Sequence, residues 1–195
     1  MRELVRMVVV LAAICACSGL VLSFTNKATQ AQRENQLLKF VKGPSIQAVL
    51  SDYDYDNDPI QDRMALPMGK DKDGNPLEKT IFLAKKDGQV TAVAYASSGS
   101  GYGGEIEVMV GLSLDGKLTG ISVMTHSETP GLGARITETV FTEQFRGLPL
   151  EGGVQLSSDG GAIDGVSGAS FSSKGVISAI NAAMKLFPKV KEEVS

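Results

Sequence analysis

The chain has 195 residues, of which 43% are hydrophobic, and a formal net charge of −3 at pH 7. Because the charge is slightly negative and no basic face is evident, we exclude nucleic acid as a partner. Both cysteines, Cys15 and Cys17, lie in an apolar N-terminal segment, so the rest of the chain holds no cysteine for a disulfide, a metal site or a cluster. About 170 residues follow that segment, which is sufficient for one domain with one core.

The N-terminal segment is typical of a membrane anchor. Residues 7–22 are apolar apart from Ser18, and about 20 such residues span a bilayer core as a helix. We therefore predict a single transmembrane helix over residues 1–24. Arg2 and Arg6 precede it, which favours a cytoplasmic N-terminus and a domain on the extracytoplasmic side of the cytoplasmic membrane. Two alternatives stay open: a signal peptide cleaved near residues 28–31, and a lipid on Cys17.

Residues 25–79 are predicted to form a linker helix and acidic loops. Residues 25–51 begin polar and then carry apolar residues at helical spacing, with a break at Gly43 and Pro44. Aspartates alternate over residues 52–58, but the central glycine and the final glutamate of an EF-hand are missing. We interpret this stretch as a solvated acidic loop and predict no metal site. Residues 71–76 predict a second polar turn.

Strand patterns begin at Thr80. Residues 80–84 and 89–96 flank a turn at residues 86–88, and residues 105–114 and 117–124 flank Asp115 and Gly116. These patterns predict two hairpins in an antiparallel sheet with one buried face. That face carries alternate apolar residues of the third strand, namely Ile106, Val108, Val110, Leu112 and Leu114. Residues 97–104, rich in glycine and serine, are either a flexible linker or a loop that closes over a ligand.

The last part of the chain combines loops and helices. Residues 125–135 predict a polar loop with a Pro-Gly turn, residues 137–145 a short helix, and residues 154–156 and 162–164 short strands. A glycine- and hydroxyl-rich loop over residues 164–175 precedes an apolar periodic segment. We predict a final helix over residues 174–187, capped by Ser172 or Ser173 and ended by Pro188. The predicted fold class is α+β, with the main domain over residues 80–190.

The loop over residues 164–175 suggests two kinds of chemistry. Because a helix start carries unpaired N–H groups and partial positive charge, it is a ready phosphate site. Residues 165–169 also nearly match the nucleophile elbow of a serine hydrolase, although Ala169 replaces the last glycine. A triad there would need His126, the only histidine, with Asp164 or Glu128. The plainer interpretation of both loops is a capped helix and a polar turn.

Three features together resemble the FMN-binding domain of the G subunit of Rnf electron-transport complexes: the anchor, residues 126–133 (His-Ser-Glu-Thr-Pro-Gly-Leu-Gly) and residues 164–170 (Asp-Gly-Val-Ser-Gly-Ala-Ser). The related C subunit of the sodium-pumping NADH:quinone reductase shares both motifs. In this family an ApbE-type flavin transferase joins FMN through its phosphate to the last residue of Asp-x-x-Ser/Thr-Gly-Ala-Thr. Four residues match that motif, Asp164, Ser167, Gly168 and Ala169, and Ser170 stands where the family usually has Thr.

The resemblance implies covalent FMN on Ser170, with Lys174 near the phosphate. It implies that Glu128 and Thr129 are polar contacts of the isoalloxazine ring, and that Leu132 and Gly133 pack against it. The implied function is an electron relay between ferredoxin and NAD, coupled to Na⁺ or H⁺ movement and shared with other Rnf subunits, without catalysis by this subunit itself. Because Ser170 replaces Thr, the alternative is a non-flavinylated extracytoplasmic module with a sensory or assembly role.

Overall fold

The computed structural model describes residues 2–70, 74 and 76–194. Contacts divide the chain into two compact units, Met1–Phe40 and Val41–Ser195. The first unit contains all of helix α1, Arg2–Leu37, whose stretch Arg2–Thr29 is long and apolar enough to cross a membrane. A signal sequence has the same properties, so the alternatives for this segment stay open.

The helical path continues after α1 because no glycine or proline occurs between residues 20 and 42. A π-helical turn, Leu38–Lys42, leads into helix α2, Gly43–Leu50. Pro44 lies at the start of α2, where the missing N–H of proline costs no helical hydrogen bond. Gly43 and Pro44 therefore begin an α-helix at the position where a break was predicted.

The second unit contains a five-stranded antiparallel sheet whose strands lie in sequence order. The strands are β1 (Arg63–Lys70), β2 (Pro76–Lys86), β3 (Gln89–Ser100), β4 (Glu105–Ser113) and β5 (Leu118–Thr125). Both predicted hairpins are confirmed, and Asp87 and Gly88 have the positive φ angles, 51° and 78°, that a tight hairpin turn requires. Strand β1 was not predicted because it contains Pro67 and a bulge, which an edge strand tolerates.

Residues 97–104 are the closed end of the β3–β4 hairpin. Pairing continues to Ser100 opposite Glu105, and the N–H of Gly101 donates to the carbonyl of Gly104 at 2.7 Å. The flexible-linker alternative is therefore wrong, because residues 97–100 are paired strand and residues 101–104 close the hairpin. We call residues 101–104 the hairpin tip.

Both faces of the sheet are covered, which corrects the prediction of one buried face. The predicted apolar face of β4 packs with helix α4, Ser170–Val194, in the main core. Helix α2 contacts β4 and β5 and buries Ile46, Val49 and Leu50. The sequence pattern of β4 alone does not reveal this second layer, because its other face carries Met109 and Gly111 among polar residues.

Helix α4 is longer at both ends than predicted. It begins at Ser170, and it continues through Pro188 to Val194. Proline costs stability inside a helix, but contacts beyond it hold the last turns in place. Val190 is fully buried, and the ammonium groups of Lys189 and Lys191 donate to the carbonyls of Pro67 and Leu114 at 2.8 and 3.0 Å.

The segment between β5 and α4 has less regular structure than predicted. The predicted helix over residues 137–145 divides into a 3-10 turn, Gly133–Thr137, the short helix α3, Thr139–Thr142, and a second 3-10 turn, Glu143–Phe145. The backbone of Glu138 is extended, and this interrupts the helix. A third 3-10 turn, Ser157–Asp159, follows, and the two predicted short strands amount to one bridge between Leu156 and Ile163.

The acidic loop over residues 52–58 is tied to the domain by its side chains. Asp52 pairs with Arg146, Asp54 pairs with Lys86, and Asp56 accepts the N–H of Asp87. Of the second predicted polar turn, residues 71–73 and 75 lie outside the described residues. The predicted domain boundaries at 24/25 and 79/80 stay predictions.

Candidate functional site

One cavity brings the two loop motifs together. It has a volume of about 370 Å³, within the range of small-molecule sites. Its lining residues come from the hairpin tip, from the loop after β5 and from the start of α4: Tyr102, Glu128, Thr129, Leu132, Gly133, Gly168, Ala169, Ser170, Phe171 and Ser172. We call it the Ser170 cavity.

The loop before α4 is held by hydrogen bonds that leave Ser170 accessible. The hydroxyl of Ser173 accepts the N–H of Val166 at 2.9 Å and donates to the carbonyl of Ala169 at 3.1 Å. Ser172 and Ser173 are therefore buried in the first turn of α4, and the prediction that one of them precedes the helix is wrong. Ser170 is exposed as the first residue of α4, where the backbone N–H groups of the first turn lack helical partners.

Glu128 is buried at the back of the cavity, with an exposed fraction of 5%. One carboxylate oxygen accepts the N–H of Gly103 at 2.8 Å, and the other accepts the hydroxyl of Ser172. A buried carboxylate needs such donors because its desolvation is otherwise costly. The side chain thus connects the hairpin tip to α4 across the loop that follows β5.

Three large apolar side chains are exposed around the cavity. The exposed fractions are 77% for Tyr102, 44% for Leu132 and 70% for Phe171. The rings of Tyr102 and Phe171 have centroids 6.5 Å apart at an angle of 50°. The sequence pattern identifies neither aromatic residue as part of the site, because Tyr102 lies in a glycine-rich stretch far from the motifs and Phe171 lies in a loop noted for its glycines and hydroxyls. Their proximity to Ser170 in the fold is the only signal that identifies them.

Three of the predicted site residues do not line this cavity. Ser167 and Asp164 are exposed, and the backbone of Asp164 exchanges two hydrogen bonds with the side chain of Gln144, at 2.7 and 3.1 Å. Lys174 forms an ion pair with Asp159 at 3.0 Å and lines a separate open cleft of about 570 Å³. The predicted role of Lys174 beside the phosphate stays a prediction.

The hydrolase geometry is not assembled among the described residues. His126 accepts the N–H of Glu128 on Nδ1 at 3.3 Å, and its ring makes no hydrogen bond to Ser167 or Ser170. The Glu128 carboxylate contacts Gly103 and Ser172 instead of the imidazole. His126, Glu128 and the two serines therefore lack the hydrogen bond between base and nucleophile that a catalytic triad needs.

The cavity lies within a region that matches a known family. Residues 101–185 match the family model described as an FMN-binding domain. The chain is 32% identical to the G subunit of the ion-translocating oxidoreductase complex of Methanosarcina acetivorans over 184 residues, which cover 94% of each chain. It is also 32% identical to the corresponding G subunit of Cereibacter sphaeroides over 187 residues, covering 91% of this chain and 81% of the relative.

Two solved structures have a similar fold. The C subunit of the Na⁺-translocating NADH-quinone reductase from Parabacteroides distasonis has a TM-score of 0.50 and 28% identity, with 58% of this chain and 63% of that chain covered. NqrC from Shewanella oneidensis has a TM-score of 0.53 and 24% identity over 67% of this chain and 68% of that chain, and this likeness concerns the fold. Because curated relatives at 32% identity align along nearly the whole chain, the chain belongs to the family of G subunits of ion-translocating oxidoreductase complexes and carries the FMN-binding domain of that family.

Proposed function

We propose that this chain is the flavin-carrying, electron-relaying subunit of an ion-translocating ferredoxin:NAD oxidoreductase complex, with FMN joined through its phosphate to the hydroxyl oxygen of Ser170. One observation carries this proposal. Residues 128–133 and 168–172 are far apart in sequence, yet they line one cavity with Ser170 at its edge. Separated motifs that meet around a hydroxyl group at a helix start are what attachment of a phosphorylated cofactor requires.

The choice of Ser170 over its neighbours follows from accessibility. Ser172 and Ser173 are buried, and their hydroxyls are engaged with Glu128 and with the loop backbone. Ser167 is exposed but does not line the cavity. Ser170 is both exposed and at the cavity, and the N–H groups of the first turn of α4 offset phosphate charge. A serine hydroxyl offers the same nucleophilic oxygen as the threonine usual in the family.

The residues around the cavity suit the rest of FMN. Tyr102, Leu132 and Phe171 expose apolar surface that a flat aromatic ring would cover. Gly168 has a φ of 78°, and a Cβ there would lie 3.0 Å from Leu132, so the backbone approaches this side chain closely. Bound FMN would supply the redox chemistry, and the residues of the cavity would bind and orient it. Thr129, exposed at the cavity edge, offers a polar contact.

The electron relay needs partners at a membrane. We propose that α1 anchors the chain with Arg2 and Arg6 on the cytoplasmic side, so that the flavin domain is extracytoplasmic beside other subunits of the complex. An ApbE-type flavin transferase on that side would make the ester. Reporter fusions at the C-terminus test the orientation, and activity of a reporter that works only in the cytoplasm would contradict it.

The deciding experiment is intact mass with in-gel flavin fluorescence on the chain co-produced with a flavin transferase. We expect a gain of one FMN less one water, because the Ser170 oxygen bonds to the FMN phosphorus while the phosphoanhydride bond of a flavin nucleotide donor breaks and the released phosphate group takes the hydroxyl proton. The gain should disappear in Ser170→Ala and persist in Ser170→Thr and in the matched control Ser167→Ala. No gain in the wild type, with a transferase active on Ser170→Thr, would favour the non-flavinylated module instead.

A further inference from the structure

We propose that Glu128 is a positioning residue for flavin attachment, acting through the protein rather than on the flavin ring. Its carboxylate accepts hydrogen bonds from Gly103 on the hairpin tip and from Ser172 on α4. We call these two hydrogen bonds the Glu128 bridge. The inference rests on the proposed function, because it concerns how Ser170 is made ready to receive FMN.

The contacts argue for an internal role. Both carboxylate oxygens are engaged by donors from the chain itself, and only 5% of the residue is exposed. A carboxylate turned toward the ring would lose those donors in a buried environment, which costs free energy. The arrangement is therefore complete before any cofactor binds.

The packing around Glu128 leaves no room for other side chains. A Cβ added to Gly101 would lie 2.3 Å from a Glu128 carboxylate oxygen, and one added to Gly133 would lie 2.9 Å from the Glu128 Cβ. A Cβ added to Gly103 would lie 2.1 Å from the carbonyl oxygen of Ser127. The hairpin tip and Gly133 thus approach the Glu128 side chain so closely that only glycine fits, and the tip also meets the backbone of Ser127.

The two partners of the bridge are next to residues that form the cavity. Gly103 follows Tyr102, and Ser172 lies in the same helical turn as Ser170. The bridge therefore adds a hydrogen-bonded link between the hairpin tip and the helical turn that carries the hydroxyl, beside the backbone contact of Gly101 with Gly175. Without it, the tip and the first turn of α4 lose their common anchor, and Ser170 spends less time in the geometry that the transferase needs.

The first readout is the rate of FMN attachment, followed by intact mass with purified chain, transferase and a flavin nucleotide donor that carries FMN on a phosphoanhydride bond. Glu128→Ala should slow attachment about tenfold to a hundredfold, the usual effect of misplacing a reacting group. Ser172→Ala removes one of the two hydrogen bonds of the Glu128 bridge. Its attachment rate should lie between those of Glu128→Ala and the wild type. Glu128→Gln should stay within about threefold of the wild type, because an amide can accept from Gly103 and donate to Ser172. The matched control is Glu138→Ala, which removes an exposed carboxylate paired only with Arg135.

The second readout needs no flavin. Hydrogen exchange on the unmodified chain should show faster exchange at residues 101–104 and 171–173 in Glu128→Ala, while Glu128→Gln and Glu138→Ala keep wild-type protection. Circular dichroism establishes that each variant is folded. If Glu128→Ala is unfolded, the attachment rates and exchange rates of Ser172→Ala and Glu128→Gln are compared with those of the wild type instead.

Three outcomes would overturn the positioning role. They are attachment at the wild-type rate in Glu128→Ala, slow attachment without any change in exchange, and loss of attachment in Glu128→Gln while exchange is unchanged. The last two would mean that the carboxylate acts directly on the flavin or the transferase. If the wild type takes up no FMN, the proposed function fails, and the exchange data still decide whether the bridge holds the cavity.

Discussion

Gly99 on β3 and Gly175 on α4 meet backbone to backbone. A Cβ at Gly99 would lie 2.0 Å from the carbonyl oxygen of Gly175, and a Cβ at Gly175 would lie 2.8 Å from the carbonyl oxygen of Ser100. Through this contact, the end of the β3–β4 hairpin packs against the first turns of α4. The distance between the sheet and the helix at the cavity is therefore set by the absence of two side chains.

Substituting either glycine should destabilise the domain. Because backbone atoms cannot move aside locally, we expect Gly99→Ala and Gly175→Ala to lower the free energy of unfolding by about 1–3 kcal/mol. Urea denaturation measures this. The matched control is Gly120→Ala on β5, where the added Cβ would meet only the Arg146 side chain at 3.4 Å. Equal effects at Gly99 and Gly120 would contradict the close-contact argument.

Tyr95 predicts an alkaline loss of stability. Its buried hydroxyl donates to the carbonyl of Ala183 at 2.9 Å, and burial raises the pKa of this hydroxyl above its usual value. As the pH rises, the Tyr95 hydroxyl ionises in the unfolded chain before it does so in the folded one. The stabilisation that the neutral buried hydroxyl provides is therefore complete below about pH 10 and is lost as the pH rises further.

The variant Tyr95→Phe tests this expectation. It should lose about 0.5–1.5 kcal/mol at neutral pH because one hydrogen bond is missing. The difference in the free energy of unfolding between the wild type and Tyr95→Phe should then disappear as the pH approaches about 11. Denaturation curves of the two proteins across this range provide the measurement, and parallel pH profiles would mean that Tyr95 does not carry the effect.

Tyr102 should report on the flavin. In the proposed holoprotein this exposed aromatic side chain at the Ser170 cavity lies within reach of the isoalloxazine ring. A phenol donates an electron to an excited flavin and quenches its emission, so Tyr102→Leu and Tyr102→Phe should both raise the fluorescence yield of attached FMN. Tyr55→Phe in the acidic loop is the control. An unchanged yield in both Tyr102 variants would place the ring elsewhere.

Arg146 should stabilise the packing of α2. Its guanidinium donates to Asp52 at 2.8 Å, to the carbonyl of Thr119 at 2.9 Å and to Glu143 at 2.9 Å, so it joins the end of α2 to β5. The hydrogen bond to Glu143 is the main reason that the pKa of Arg146 is raised.

We expect Arg146→Ala to lower the free energy of unfolding by about 1–3 kcal/mol, since hydrogen bonds to charged groups are lost in a half-buried position. Arg146→Lys should recover only part of this, because an ammonium cannot present the planar set of donors. Arg135→Ala, which breaks an exposed pair with Glu138, is the control and should change stability by less than about 1 kcal/mol. If Arg146→Ala lowers the free energy of unfolding no more than Arg135→Ala does, the hydrogen bonds of Arg146 do not stabilise the packing of α2.

Local sequence signals were sufficient for much of the sheet. Asp87, Gly88 and Gly116 specify turns through positive φ angles that few other residue types adopt. The alternation from Ile106 to Leu112 specifies which side of β4 meets the core. These features depend on neighbours in sequence, so they can be predicted without the fold. The apolar run at the N-terminus is local in the same way.

Other features arise only when distant segments pack together. Pro188 continues a helix because later residues are anchored on the sheet, and α2 covers a sheet face whose pattern did not predict it. The Ser170 cavity depends on the same kind of contact: Tyr102 faces Phe171, and Glu128 bonds to Gly103 and Ser172.

The sequence by itself therefore determined the apolar N-terminal helix, the hairpins, the family motifs and the hydroxyl proposed to carry FMN. The tertiary structure decided which serine hydroxyl is accessible, which side chains surround it, and which carboxylate pairs with Lys174. The physical reason is that periodicity and turn chemistry constrain a few adjacent residues. Burial and hydrogen-bond partners depend on contacts between residues that are far apart in the chain, such as Glu128 and Ser172.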